Sequence, residues 1–185
     1  MTKAQLTVLA GPTAVGKGTV VAALTKRYPT LNVSVSATTR DPRPGELNGV
    51  HYYFVSAQEF DAMIERGDML EWALVHGKNK YGTPRGPVDE ALAAGKPVLL
   101  EIDLAGARQV RTNRPDAQFI FLAPPSWDEL ERRLIGRGTE GPEEQARRLA
   151  TARIELEAAS EFDHVVINDD VERAVDELAR LIGLE

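Results

Sequence analysis

Apolar residues gather in five short runs along the chain: LTVLA at 6–10, NVSVSAT at 32–38, PVLLEID at 97–103, QFIFLA at 118–123 and HVVIN at 164–168. Near-continuous apolar runs of this length suit strands buried on both faces, as in a parallel sheet. The stretches between them carry helical spacing: GKGTVVAALTKRYP, SAQEFDAMIERG, GPVDEALAAGK, SWDELERRLIGRG, PEEQARRLATARIELEAAS and DVERAVDELARLIG. Several open on Ser, Asp or Pro, residues that favour helix starts. Strands alternating with helices predict a three-layer α/β fold around a five-stranded parallel core sheet. Two segments depart from that alternation. Residues 38–96 are long and polar with a local strand signal, VHYYFVS, and residues 136–158 carry arginines in place of another strand. They read as a substrate-binding insertion and a helical lid. The expected organisation is therefore one domain over 1–185, with a core of 1–34, 96–125 and 159–185, a small α+β insertion at about 35–95 and a lid at about 126–158.

Composition narrows the function classes. A net charge of −6 argues against a general nucleic-acid binder, which needs a broad basic surface. No stretch approaches the ~20 apolar residues of a membrane span, and the N-terminus runs into a strand without a cleavage pattern, so a cytoplasmic protein is expected. There are no cysteines, which removes disulfides, thiolate catalysis and thiolate metal sites. His51, His76 and His164 lie far apart, without metal-ligand spacing.

The strand at 6–10 runs into GPTAVGKGT at 11–19 and then into a helix, the context of a phosphate-binding loop. Backbone N–H groups converge there on phosphate oxygens, and the helix N-terminus adds partial positive charge. Gly11 and Gly16 allow close approach, and Lys17 supplies a point charge for the β- and γ-phosphates. In P-loop switches and motors the hydroxyl directly after the lysine binds Mg²⁺. Here that place holds Gly18, with Thr19 one step on, which points away from hydrolysis and toward transfer.

Further anion chemistry lies beyond the loop. Arg40 and Arg43, in a stretch stiffened by Pro and Gly, read either as a fork-geometry clamp for a phosphate dianion or as a solvated basic turn. Glu101 and Asp103 close the third apolar run two residues apart, on one face, at the carboxyl end of a strand. RRLIGRGTEGPEEQARRL offers Arg132, Arg133, Arg137, Arg147 and Arg148. Arg137 sits between two glycines like a finger on a hinge, whereas Arg132 and Arg147 also fit ordinary i to i+4 pairing.

SATTRDPRPGELNGVHYYF at 36–54, with EW at 71–72, KYGT at 80–83, EID at 101–103, GRGTE at 136–140 and IND at 167–169, resembles the guanylate kinases over essentially the whole chain. That resemblance implies transfer of the γ-phosphoryl group of ATP to GMP, with Mg²⁺ accompanying ATP. It assigns Gly11, Pro12, Thr13, Ala14, Val15, Gly16, Lys17, Gly18 and Thr19 to ATP, and Arg133, Asn168 and Asp169 to the adenine. Arg40, Arg43, Tyr52 and Tyr81 would hold the GMP phosphate, with Glu46 in the same site. Ser36 and Thr83 would bond guanine O6, and Glu71 would accept from N1–H and the 2-amine. Arg137 and Arg148 would join Lys17 and Arg43 in neutralising the transferring phosphoryl. Asp103 would order Mg²⁺ through water, as Thr19 could, or bond Lys17 or the acceptor base. Thr83 and Ala105 replace a serine and a glutamine usual in the family; the first keeps its hydroxyl, and no role is assigned to the second. A catalytically dead scaffold would lack Lys17 and the lid arginines. A sugar-phosphate kinase would lack Ser36, Glu71 and Thr83, and a P-loop GTPase would carry NKxD. The partners expected are these small nucleotides, with neither nucleic acid nor membrane; oligomeric state is not encoded in any motif.

Overall fold

The computed structural model describes residues 3–136, 138 and 140–184. Its first strand, β1 (Leu6–Ala10), is buried at every position. The apolar run dictates that place: no face of the strand can be given to water. Around it lie β2 (Asn32–Val33), β7 (Val98–Glu101), β8 (Gln118–Ala123) and β9 (His164–Ile167), in the order β2-β7-β1-β8-β9. All neighbours pair in parallel. Side chains alternate across the sheet. Leu9, Ile120, Leu122 and Val166 pack on one face against α1 (Lys17–Arg27) and α7 (Val171–Ile182). Leu6, Val8, Ala10 and Leu100 pack on the other against α3 (Arg85–Ala93) and α4 (Leu104–Asn113). This is the three-layer α/β architecture that the alternating pattern predicts.

Three local expectations need correction. The run at 32–38 is two strands, not one. Ser34 still donates to Leu99 O at 3.0 Å, but β3 (Ala37–Thr38) then leaves for a second sheet, in which it lies between β4 (Tyr53–Phe54) and β6 (Asn79–Pro84), with β5 (Met69–Val75) beyond β6. An unbroken alternation cannot reveal where a strand changes partners. The strand signal at VHYYFVS contracts to β4 (Tyr53–Phe54), while β5 (Met69–Val75) and β6 (Asn79–Pro84) form a hairpin that the periodicity missed. Finally, α4 was not foreseen. Asp103 accepts from the Gly106 N–H at 2.7 Å and caps it, and Asp103 therefore lies past the end of β7 rather than on its face.

α2 (Ala57–Glu65) covers the second sheet by burying Phe60. α5 (Trp127–Ile135) and α6 (Pro142–Glu157) build a small core of their own from Leu130, Leu134 and Ala152. Ala14, from the loop after β1, packs into that core.

Candidate active site

β1 ends at the centre of the sheet, so the loop that follows opens at the carboxyl ends of the strands, where open α/β sheets receive ligands. Ala14 and Gly16 both take left-handed backbone, at φ 68° and φ 95°. Such residues turn successive N–H groups toward one concavity, an anion nest. A Cβ on Gly16 would lie 2.9 Å from Asn168 Nδ2.

Gly11 is held by space: a Cβ there would meet the Leu122 carbonyl oxygen of β8 at 2.4 Å. Backbone in the middle of a sheet cannot yield cheaply. Gly11→Ala is expected to lower the thermal midpoint by roughly 3–10 °C, read by calorimetry. An unchanged midpoint would show that the loop relaxes away from β8.

Lys17 is the first residue of α1, and its ammonium donates to Gly11 O at 3.1 Å and to Ile102 O at 3.4 Å. Burial pushes its pKa down, while Glu101, Glu155 and Asp103 push it back up. Glu101 and Asp103, the carboxylates that close the third apolar run, are thus both near enough to act on its charge. Glu155 was not foreseen. It extends from α6, its carboxyl raised chiefly by burial and pulled back by Lys17 and the Thr13 backbone. A lone Glu on a charged helix carries no sequence signal for such a placement. Thr19 lies in the first turn of α1, exposed.

Two predicted adenine neighbours act on the loop itself. Asn168, buried at the end of β9, donates to Val15 O at 2.8 Å, and Arg133 of α5 donates to the same oxygen at 3.2 Å. Asp169 is ion-paired with Arg173. Arg148 of α6 pairs with Glu140 at 2.5 Å. Arg132 pairs with Glu129 and Arg147 with Glu144, the helical reading that the sequence allowed for those two. Arg137 lies outside the described residues.

The second sheet gathers the acceptor candidates. Arg40 grips both carboxylate oxygens of Glu46, at 3.2 and 3.0 Å, and lies 5.2 Å from the Tyr52 ring centre. Tyr52 and Tyr81 meet edge to face at 6.0 Å. Arg43 is exposed, and among the described residues its guanidinium has no ion-pair partner. Glu71 and Thr83 are register partners across β5 and β6. The Thr83 hydroxyl donates to Glu71 Oε1 at 2.8 Å, and both residues are buried. Burial raises the Glu71 pKa above the ordinary carboxylate range, the Thr83 bond opposes that shift, and nearby Asp103 adds to it. Ser36 lies one residue before β3, whose Ala37 pairs with Gly82, on the side of Thr83. A buried carboxylate that accepts one hydroxyl keeps a lone pair free on that oxygen and both on the other, so each oxygen can still take an N–H donor.

The family model for guanylate kinase matches residues 3–185. The chain belongs to the guanylate kinase family. It is 61% identical over 180 residues to the guanylate kinase of Nocardia farcinica, which covers 97% of this chain and 93% of that protein. It is 60% identical over 180 residues to that of Streptomyces coelicolor, covering 97% and 91%. The crystal structure of guanylate kinase from Anaplasma phagocytophilum superposes with a TM-score of 0.74 at 31% identity, over 99% of this chain and 86% of that one. A shikimate kinase from Bacteroides thetaiotaomicron, with a TM-score of 0.50, 15% identity and coverage of 97% and 98%, shares the fold alone. As a guanylate kinase family member the chain is a nucleotide-binding enzyme of the transferase class with a P-loop. Among the described residues no helix is long and apolar enough to cross a membrane.

Proposed function

We propose that the protein transfers the γ-phosphoryl group of ATP directly to the phosphate of GMP, giving ADP and GDP, in purine nucleotide metabolism and GMP recycling in the cytoplasm. The observation that carries this reading is the pairing of a P-loop lysine with a buried Glu71–Thr83 couple able to read guanine. An oxygen of the GMP phosphate attacks Pγ. The bond from Pγ to the β,γ-bridging oxygen breaks as the new one forms, and ADP leaves with that electron pair. The attacking oxygen is already anionic, so the protein need supply no general base. Its work is positioning and charge neutralisation.

Gly11 to Thr19 cradle the ATP phosphates, and Arg133, Asn168 and Asp169 border the adenine. Lys17 and Arg43 meet the two phosphates about to react. Arg137 and Arg148 join when the lid closes, Arg148 exchanging Glu140 for phosphate and water being excluded as it does so. Arg40, Tyr52, Tyr81 and Glu46 hold the GMP phosphate as one cluster, and Ser36, Thr83 and Glu71 read the base. Among the described residues no group of three or more His, Asp or Glu forms a ready-made metal cage. Mg²⁺ is held typically by one or two carboxylates together with substrate phosphates. Asp103 and the Thr19 hydroxyl, with Glu101 near, would hold Mg²⁺ through water, and the bound ion would neutralise phosphate charge.

The test is ADP formation from MgATP with GMP, AMP, CMP, UMP or no acceptor, in the parent and in Arg43→Ala. Turnover is expected with GMP alone, and the variant should raise the KM for GMP by about 10–100-fold through loss of a charge-assisted contact. ADP formed without an acceptor would mean an ATPase. A folded protein that binds GMP and does not turn over would be a scaffold.

A further inference from the structure

α4 ties the two sheets together, and it does so around Glu71. Its inward residues Ala107 and Val110 pack on the core sheet. Gly106, Gln109 and Asn113, spaced i, i+3 and i+7, line the side that meets β5. β5 is the edge of the second sheet, so its outward backbone groups need partners from elsewhere. Side-chain amides provide them. Asn113 Nδ2 donates to Leu70 O at 2.8 Å. Gln109 accepts from the Trp72 N–H at 3.0 Å and donates to the Trp72 carbonyl at 2.9 Å. A primary amide is the side chain that offers a neutral donor and acceptor side by side, as a neighbouring strand would.

These bonds fall on the residues immediately before and after Glu71. A Cβ on Gly106 would stand 3.0 Å from Glu71 Oε2 and 3.0 Å from Asp103 Oδ1, so Glu71 reaches the first turn of α4 through space left by a missing side chain. A register irregularity between Met69 and Glu71 leaves β6 a weaker guide to the height of β5 at this point. The amide clamp takes over that task.

We infer that Gln109 is a positioning residue for base recognition: closed on both backbone groups of Trp72, it fixes the Glu71 carboxylate at the place where N1–H and the 2-amine of guanine are read together. The inference rests on the GMP-kinase reading above and names what sets its selectivity. Two parallel N–H···O bonds tolerate little misplacement, because each weakens steeply with angle. An acceptor without the 2-amine has only one such bond to lose.

IMP is that acceptor, having the N1–H and O6 of GMP without the amine. In Gln109→Leu, kcat/KM for GMP should fall about 10–100-fold, mainly through KM, and for IMP less than about 3-fold, compressing the GMP-over-IMP ratio. The KM for MgATP should stay within about 2-fold, since the donor loop touches none of these bonds. Gln109→Glu keeps the acceptor for the Trp72 N–H and loses the donor, so it should lie between; it also serves if the leucine variant folds poorly. Arg108→Ala, which cuts the Glu161 pair on another side of the same helix, controls for general loosening and should leave the ratio unchanged. Equal losses for GMP and IMP in both Gln109 variants, or no loss, would overturn the inference while leaving the GMP-kinase reading intact. A parent protein that phosphorylates neither nucleotide would overturn that reading, and the inference with it.

Discussion

Lys17→Met is expected to lower kcat by at least about 10³-fold while moving the thermal midpoint by no more than about 3 °C. Met keeps most of the apolar stem and removes the charge. The ammonium is already anchored between Gly11 O and Ile102 O, so on the proposed reading it would meet the phosphoryl group without reorganising. That preorganisation is what makes a single charge worth so much when negative charge spreads over the transferring group. Its cost appears in the depressed pKa of Lys17, where burial outweighs three carboxylates. The direction has two consequences of opposite sign. As pH rises toward the ordinary lysine range, the free enzyme loses this proton early, so kcat/KM for MgATP falls on the alkaline side. Over the same window the unfolded chain still holds a proton that the folded chain has released, and this group's contribution to stability rises with pH. An alkaline loss of activity without loss of fold, absent from the variant's residual rate, would trace the limb to Lys17. A variant retaining a tenth of the parent rate would remove the lysine from the chemistry.

What the sequence shows and what it hides follow from how far apart the cooperating residues lie. The cradle is contiguous, 11 to 19, and is flanked by a strand and a helix with strong periodicity, so both its place and its chemistry are readable. Helix α4 is not, because its polar residues are spent on another element. Gln109 and Asn113 look like solvent-facing residues until β5 is known to lie beside them, and Gly106 looks like a breaker until Glu71 is seen to need its space. Asn168 and Arg133 are more than a hundred residues from Val15, and nothing local says that they share its carbonyl. Glu71 itself is read through family resemblance. On periodicity alone it is one charge in an apolar stretch, MLEWALV, and only its register with Thr83 shows why a strand would bury it.

Glu71→Gln should separate stability from function at that position. Selectivity should collapse, with kcat/KM for GMP falling about 10³-fold, because the amide nitrogen presents a donor where guanine also presents donors. The unliganded protein should nevertheless become more stable, by about 1–5 °C in thermal midpoint. The reason is the raised pKa of Glu71, due first to burial. A carboxyl whose folded pKa exceeds its unfolded one contributes stability below the unfolded value and loses it as pH rises through the folded value. At neutral pH the ionised group is therefore a cost to the free protein, which a neutral amide accepting the same Thr83 hydroxyl avoids. On the proposed reading guanine would repay that cost by supplying two N–H donors, so GMP binding should pull the Glu71 pKa down and release a proton when the pH lies near its free value. Calorimetry of GMP binding in buffers of different ionisation enthalpy would register that release in the parent and its absence in the variant. As pH falls through the raised pKa, the KM for GMP should climb while the free protein gains stability from this group. A variant both less stable and still selective would mean that the carboxylate is held by the protein for its own sake, and that the base is read elsewhere.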